Sequence, residues 1–273
     1  MLDAEALLNS PADLERPWLH HLNGDTSWLL QIPRKDNSDR TFFNLLIDPW
    51  FVHSRNVQYS AYFHEQHRQI ASAVQSVAEL EAFLEQTEDV ANKLRSASNP
   101  HFATDSNSHP NQRADSPFTP SSLTDAIALT LEADDHTHKD TLLEVHPDVP
   151  VFALKRSANM VRCWKHFRDV HTIPFYTTGS DWQGSSVPLL PSRISISGLK
   201  QVHNLAQLFY GLMVTTDLGS NAACGDGEFG LGEAIQEQSI DWVQQREPEF
   251  EAIVYVPHGN RLALRLFCRA QPC

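Results

Sequence analysis

The chain has 273 residues, of which 41% are hydrophobic and 20% are charged, and this composition argues against global disorder. Its 21 lysines and arginines stand against 34 aspartates and glutamates, and the resulting formal charge of −13 argues against a nucleic-acid partner. No apolar run is long enough to span a bilayer, and the first residues, MLDAEALLNS, lack an apolar signal core. We therefore expect a cytoplasmic protein that binds neither nucleic acid nor membrane.

The cysteines agree with a reducing compartment. They are Cys163, Cys224, Cys268 and Cys273, and they form neither a CxxC pair nor the spacing of a zinc finger. Free thiols are therefore the simplest interpretation.

The first elements predicted along the chain are two strands. Residues 26–33 and 41–50 are apolar and rich in aromatic side chains, and the polar segment RKDNSDR between them predicts a hairpin. Residues 42–47 are almost continuously apolar, which is typical of a strand covered on both faces, and Asp48-Pro49 predicts the end of this strand.

An amphipathic helix and a polar insertion follow. In SVAELEAFLEQTEDVANKLRSA, apolar side chains recur at helical spacing, at Val77, Leu80, Leu84, Ala91 and Leu94. Residues 96–122 are rich in Ser, Asn, Pro and His, which predicts a flexible insertion, either disordered or serving as an active-site lid. The rest of residues 1–273 is expected to form a single domain.

From residue 126 onward the pattern alternates between strand and helix. Helices are predicted at residues 137–145 and in the segment RSANMVRCWKHF. Strands are predicted at residues 126–131, 149–154, 169–176, 194–197, 206–215 and 250–257. This alternation predicts a layered α/β fold. The glycine-rich stretch before the last strand has no helix with a following acidic residue, so it is not interpreted as a nucleotide-binding loop.

Carboxylate and imidazole groups cluster in EADDHTHKD, directly after the strand predicted at residues 126–131. The ends of strands in α/β sheets gather functional groups. Imidazole nitrogen and carboxylate oxygen are ligands that zinc, iron and manganese accept, so the cluster is a candidate metal site. The alternative interpretation is that Asp134 or Asp135 only caps the helix that follows.

Five segments between residues 18 and 259 carry a resemblance to a known family, namely WLHHLNGDTSWLLQIP, FFNLLIDPWF, DAIALTLEADDHTHKDTLLEV, VPVFALKRSANMVRCWKHF and AIVYVPHG. In this order they resemble segments of fungal members of the metallo-β-lactamase-fold superfamily. The resemblance implies an α/β fold of four layers, an αββα sandwich with a metal site at the shared edge of its two sheets. It also implies that the C-terminal end is shortened here. Family members are mainly hydrolases of lactams, lactones, thioesters and phosphoesters.

The resemblance assigns site residues one by one. Asp48 matches the family's first acidic position, which orients the site from behind the metal ligands. The family motif His-x-His-x-Asp-His aligns on Asp135 and His136. This alignment places Leu131 and Ala133 where two histidine ligands usually stand, so one of the family's two metal subsites is lost.

Two later histidines complete the ligand set that the resemblance implies. His203 matches the histidine of the family's third motif, and His258 falls where many members place a bridging aspartate. The implied ligands Asp135, His136, His203 and His258 hold one zinc ion, or iron or manganese in its place, unless the altered motif binds no metal. Asp135 and His138 are the predicted catalytic residues, His138 because an imidazole titrates near neutral pH. His138 is either a substitute ligand, a proton shuttle or a solvated residue of the first helical turn.

Two classes of function stay open. The resemblance implies a metal-dependent hydrolase that opens an ester, lactone, thioester or related bond of a small-molecule substrate through a metal-activated water. Leu131 and Ala133 favour instead a family member without hydrolase activity, which is either a binding protein or a metal-independent cyclase or lyase.

Two histidine pairs are weaker candidates. His20 and His21 precede the first predicted strand and either face the site or lie on the surface. His64 and His67 would share one face of a helix if their segment were helical. A pair without a third partner is a weak indication of a metal site.

Overall fold

Two stacked β-sheets and a layer of helices make up the part of the chain that the computed structural model describes. Described are residues 3–35, 40–51, 55–57, 65–68, 70–98, 122–177, 189–200, 210–217, 250–256 and 264–268. None of the helices within these ranges is long and apolar enough to span a membrane.

The helices are α1 (Ala4–Leu7), α2 (Val77–Ser98), α3 (Lys139–Glu144) and α4 (Lys155–Trp164), with a 3-10 helix at Pro11–Glu15. The first strands are β1 (Trp18–His21), β2 (Trp28–Pro33), β3 (Phe42–Ile47), β4 (Arg55–Val57), β5 (Glu65–His67) and β6 (Ala126–Leu129). The later strands are β7 (Val151–Ala153), β8 (Val170–Thr172), β9 (Ile194–Lys200), β10 (Tyr210–Asp217), β11 (Phe250–Tyr255) and β12 (Leu264–Cys268).

The larger sheet has six strands in the order β1-β2-β3-β6-β7-β8. Strands β1 to β3 pair antiparallel, whereas β3, β6, β7 and β8 pair parallel. The predicted hairpin is confirmed, because β2 and β3 pair from Trp28 opposite Ile47 to Pro33 opposite Phe42. The second sheet has four antiparallel strands in the order β12-β11-β10-β9, and β4 pairs separately with β5.

Strand β3 shows how the layers stack. All six of its residues are buried, as the continuous apolar run predicts. Because side chains alternate along a strand, Phe42 and Leu46 pack with the helices, and Phe43, Leu45 and Ile47 pack with the four-stranded sheet. The predicted α/β sandwich is confirmed in three layers, namely helices, six-stranded sheet and four-stranded sheet. A fourth layer, of helices outside the smaller sheet, is not among the described residues.

Helix α2 is the amphipathic helix that the sequence predicts. Its apolar positions Val77, Leu80, Leu84 and Ala91 are buried, and Leu94 packs partly buried against the same core. The helix continues to Ser98, so the predicted insertion cannot begin at residue 96. Residues 99–121, the rest of that insertion, lie outside the described part of the chain, and the single-domain organisation stays a prediction.

Several elements differ from the sequence prediction. Strand β6 ends at Leu129 and not at residue 131, since the chain turns there into the loop that carries Asp135 and His136. Strands β1, β4, β5 and β12 were not predicted. The backbone of His67 lies in β5, so the helical face that would pair it with His64 does not form, and His64 itself is outside the described residues.

The core on the helical side of the larger sheet offers a test of the fold. We expect Leu46→Ala to destabilise the protein by about 2–5 kcal/mol, because a fully buried leucine leaves a cavity that a sheet cannot close. Leu143→Ala removes the same atoms from a side chain that is 39% exposed on α3 and should cost less than about 0.5 kcal/mol. Equal losses in denaturant unfolding would contradict the assigned layers.

Candidate functional site

The site lies where two parallel strands end side by side. Strand β3 ends just before Asp48, and its parallel neighbour β6 ends just before Thr130. The backbone N–H of Asp48 donates to the carbonyl of Ala128 at 3.0 Å, which continues the pairing of the two strands. Asp48 then adopts a left-handed conformation with φ +44°, which short polar residues tolerate better than most, and the chain turns away.

A fully buried histidine–aspartate pair forms at this edge. The Asp48 carboxylate accepts hydrogen bonds from the Thr130 backbone N–H (2.8 Å) and the Thr130 hydroxyl (2.5 Å). Its Oδ2 also lies 2.7 Å from His136 Nδ1, and both side chains are wholly inaccessible to solvent. Because Nδ1 faces a carboxylate, this hydrogen bond assigns the imidazole proton to Nδ1. The lone pair of neutral His136 is then on Nε2.

The second carboxylate of the site belongs to Asp135. This residue is 4% exposed, and its Oδ2 lies 3.5 Å from His136 Nε2. The imidazole of His136 therefore has a carboxylate at each ring nitrogen. The structure brings together Asp48, Asp135 and His136, which are three of the residues that the sequence predicts to share a site.

Burial and neighbouring charges have opposite effects on the pKa of His136. Complete burial by itself lowers the pKa of this imidazole, because the charged form loses its hydration. The charge and hydrogen bond of Asp48, with the charges of Asp135 and Asp25, outweigh burial and hold the pKa of His136 above its ordinary value. The site therefore stabilises a positive charge at this position.

Threonine hydroxyls hold the loop that carries Asp135 and His136. Thr137 donates its hydroxyl to the carbonyl of Leu131, and Thr26, in the turn between β1 and β2, donates its hydroxyl to the carbonyl of Asp135. Within the loop, the backbone N–H groups of His136 and Thr137 both donate to the carbonyl of Ala133, at 2.9 and 2.8 Å. These threonines were not predicted from the sequence, because nothing in their local pattern distinguishes them from other buried threonines.

The second sheet contributes Tyr255, the last residue of β11. Its hydroxyl donates to the carbonyl of Thr26 at 2.9 Å, and the residue is 8% exposed. Burial raises the pKa of this phenol well above its ordinary value, and the negative charges of Asp48, Asp135 and Asp25 raise it further. Tyr255 was not predicted from the sequence to lie near the site either.

His138, predicted to be catalytic, is the N-cap of helix α3. Its Nδ1 accepts hydrogen bonds from the Thr141 backbone N–H (3.2 Å) and lies 2.9 Å from the Thr141 hydroxyl. The residue is 6% exposed and packs beside Trp50, so the interpretation as a solvated residue is wrong. The expectation that Asp134 or Asp135 caps this helix is also wrong, because the cap position is occupied by His138. Proton transfer by His138 stays a prediction.

Two of the four predicted metal ligands cannot be compared with this geometry, since His203 and His258 lie outside the described residues. Their convergence with Asp135 and His136 stays a prediction. Leu131, which the resemblance aligns with a histidine ligand of the family, is 2% exposed and aliphatic. Within the described ranges, no group of three or more histidine, cysteine, aspartate or glutamate side chains is placed to hold a metal ion.

The other predicted histidine pair does not join the site. His20 is buried in β1, where its Nε2 lies 2.8 Å from Gln31 Oε1 and its ring packs edge-on against Phe83 of α2. Burial lowers its pKa. His21 is exposed and stacks on the ring of Trp28, with 4.1 Å between centroids. Cys163 is a free, exposed thiol, as expected.

Comparison with known proteins adds one distant similarity. No protein-family model matches the chain, and no curated protein matches it. A solved structure, a possible metal-dependent hydrolase from Veillonella parvula DSM 2008, is similar with a TM-score of 0.37 and 13% sequence identity. The matched region covers 73% of this chain and 58% of that structure, so the chain spans less than two thirds of its length. At this TM-score the likeness carries no argument about fold or function.

The paired charges of His136 and Asp48 lead to a prediction for the metal-free protein. Nuclear magnetic resonance titration should give an imidazole pKa above the ordinary histidine value. Asp48→Asn should lower this pKa, because burial remains while the nearest negative charge is removed. Since the folded-state pKa is raised, the pair stabilises the fold fully below the ordinary histidine pKa and loses that stabilisation as the pH rises through the raised value.

The exposed Asp148, which is bonded to Arg168 at the surface, provides the control. Asp148→Asn should leave the His136 titration unchanged. A His136 pKa that does not move in Asp48→Asn would show that the carboxylate has no effect on the imidazole.

Proposed function

We propose that this protein is a metal-dependent hydrolase whose single divalent ion is held by Asp135 and His136, with zinc as the first candidate and iron or manganese as the others. The observation that carries the proposal is the 3.5 Å distance between Asp135 Oδ2 and His136 Nε2. Two ligand atoms at about 2.0–2.1 Å from a tetrahedral ion lie about 3.3–3.4 Å apart. The two atoms therefore have the spacing of two ligands on one ion.

The environment of His136 also fits a metal ligand. Histidines that bind metal usually donate their second ring nitrogen to a carboxylate, which fixes the tautomer and makes the ligating nitrogen more basic. Asp48 accepts such a bond from Nδ1 at 2.7 Å, and Thr130 holds Asp48 through its N–H and its hydroxyl. The chain thus orients Nε2 of His136 toward the side on which Asp135 lies.

A divalent ion supplies Lewis-acid activation of water for attack on an acyl or phosphoryl centre. Following the family resemblance, we propose His203 and His258 as the remaining ligands and an ester, lactone, thioester or related bond of a small molecule as the substrate. Asp135 is the proposed catalytic carboxylate as well as a ligand. Proton transfer by His138 would use Nε2, because Nδ1 accepts the cap of helix α3.

A second function is favoured by one observation. Leu131, which the resemblance aligns with a family ligand, is buried and offers no lone pair. In this alternative the protein has no hydrolase activity. It either binds a small molecule, or it uses the buried pair of Asp48 and His136 as an acid–base group in a metal-independent cyclase or lyase.

Zinc titration of chelator-treated protein separates the two proposals. Wild-type protein should bind about one zinc ion per chain, and His136→Ala should weaken binding by at least about hundredfold, because loss of an outer partner alone costs about 10–100-fold. His146→Ala is the matched control, since His146 is partly exposed and its ring contacts Asp148 in the turn after α3. Ester, lactone and thioester substrates should be hydrolysed only by metal-loaded wild-type and His146→Ala protein.

Two outcomes would contradict the hydrolase. The first is a wild-type protein that binds no zinc, iron or manganese, and the second is equal zinc binding by His136→Ala and His146→Ala. Either result would favour the metal-independent alternative, and turnover of a substrate without metal would support it directly.

Restoring the lost ligands provides an independent test. If Leu131 and Ala133 occupy the positions of two family ligands, changing both to histidine should raise the number of zinc ions bound per chain, measured by elemental analysis after dialysis. Leu143→His on the exposed face of α3 controls for nonspecific binding by an added imidazole. Unchanged stoichiometry in the double variant, with an intact fold, would show that the motif alignment is wrong.

A further inference from the structure

Thr26 connects the site with the second sheet. This threonine is 4% exposed and lies in the turn between β1 and β2. Its hydroxyl donates to the carbonyl of Asp135, and its own carbonyl accepts the hydroxyl of Tyr255 at 2.9 Å. A continuous line of hydrogen bonds therefore runs from the end of β11 to the backbone of a proposed metal ligand.

Neither the hydroxyl of Thr26 nor that of Tyr255 is needed to fill the core. Tyr255 belongs to the apolar cluster between the two sheets, where its ring packs edge-on to Trp28 with 6.5 Å between centroids. A phenylalanine would fill the same space, and a valine would fill the space of Thr26. What the two hydroxyls add is a fixed position for the Asp135 carbonyl, and that carbonyl immediately precedes His136 in the chain.

We propose that Thr26 and Tyr255 are positioning residues that hold Asp135, and with it the pair of ligands, in the geometry that binds the ion. This inference rests on the proposed function. It gives the second sheet a part in positioning the site, since Tyr255 at the end of β11 acts through Thr26. The reason is geometric, because a peptide anchored at its carbonyl cannot rotate, and rotation would change the 3.5 Å separation of Asp135 Oδ2 and His136 Nε2.

The variants that test this inference are Thr26→Val and Tyr255→Phe, each of which removes one hydroxyl and keeps the shape. Thr87→Val is the matched control, because Thr87 is 2% exposed and donates its hydroxyl to the carbonyl of Phe83 (2.9 Å) inside α2, away from the site. Tyr210→Phe is the control for the tyrosine, on the neighbouring strand β10. Thr26→Ser, which keeps a hydroxyl, tests rescue.

The first measurement is calorimetric titration with zinc alone. Thr26→Val and Tyr255→Phe should weaken zinc binding by about tenfold, as the loss of outer partners of a metal site does. Thr87→Val and Tyr210→Phe should bind as the wild type does, and Thr26→Ser should restore most of the affinity. An equal loss in Thr26→Val and Thr87→Val would overturn the inference, because it would trace the effect to general destabilisation.

The second measurement is amide hydrogen exchange in the metal-free protein, which does not depend on the proposed function. The amides of His136 and Thr137 are bonded within the site loop, and loss of the Thr26 hydroxyl should speed their exchange by about fivefold. In Thr87→Val these two amides should keep their wild-type rates. If the wild type binds no metal, the hydrolase proposal fails, yet this measurement still decides the positioning role. Unchanged exchange of both amides in Thr26→Val would overturn it.

Discussion

The buried carboxylate of Asp48 is the constraint on which the site depends. Burying a charge is costly unless hydrogen bonds and an opposite charge compensate it, and Asp48 has no exposure at all. Thr130 supplies two donors and His136 a third. The backbone of Asp48 is held as well, since its carbonyl accepts from the Ser27 hydroxyl at 2.8 Å. Two segments far apart in the sequence meet here, because the carboxylate at the end of β3 is satisfied by donors from the loop that follows β6.

The two sheets share the task of holding this arrangement. The larger sheet brings Asp48 and the loop after β6 to one edge through the parallel pairing of β3 and β6. The smaller sheet reaches the same edge through Tyr255, whose position is set by the apolar cluster that fills the space between the sheets. Packing between the sheets therefore bears on the site, because a shift of β11 would move the Tyr255 hydroxyl and, through Thr26, the carbonyl of Asp135.

The local sequence pattern explains which parts of the fold and of the candidate site could be predicted. Residues 42–47 and helix α2 were predictable because a continuous apolar run and a helical apolar repeat are properties of neighbouring residues. The cluster around Asp135 was found because its polar groups are adjacent in the chain. The contact of Tyr255 with Thr26 joins residues 229 positions apart and leaves no local mark, so it could not be predicted. The capping role of His138 was missed because histidine is not a preferred N-cap residue.

The raised pKa of His136 and the binding of the proposed ion have the same electrostatic cause, which is the negative charge around the imidazole. Carboxylates of Asp48 and Asp135 flank the imidazole, and Asp25 adds its charge from farther away, so the site stabilises positive charge. A proton on His136 supplies that charge in one state, and a divalent ion on Asp135 and neutral His136 supplies it in the other. Because both use Nε2, they exclude each other, so ion binding releases a proton and weakens as the pH falls. The proposed hydrolase needs the ion to win this competition near neutral pH, whereas the metal-independent alternative needs an imidazole that can give up a proton and take it back. The affinity of the Asp135–His136 pair for the ion therefore separates the two proposals at the same buried carboxylate.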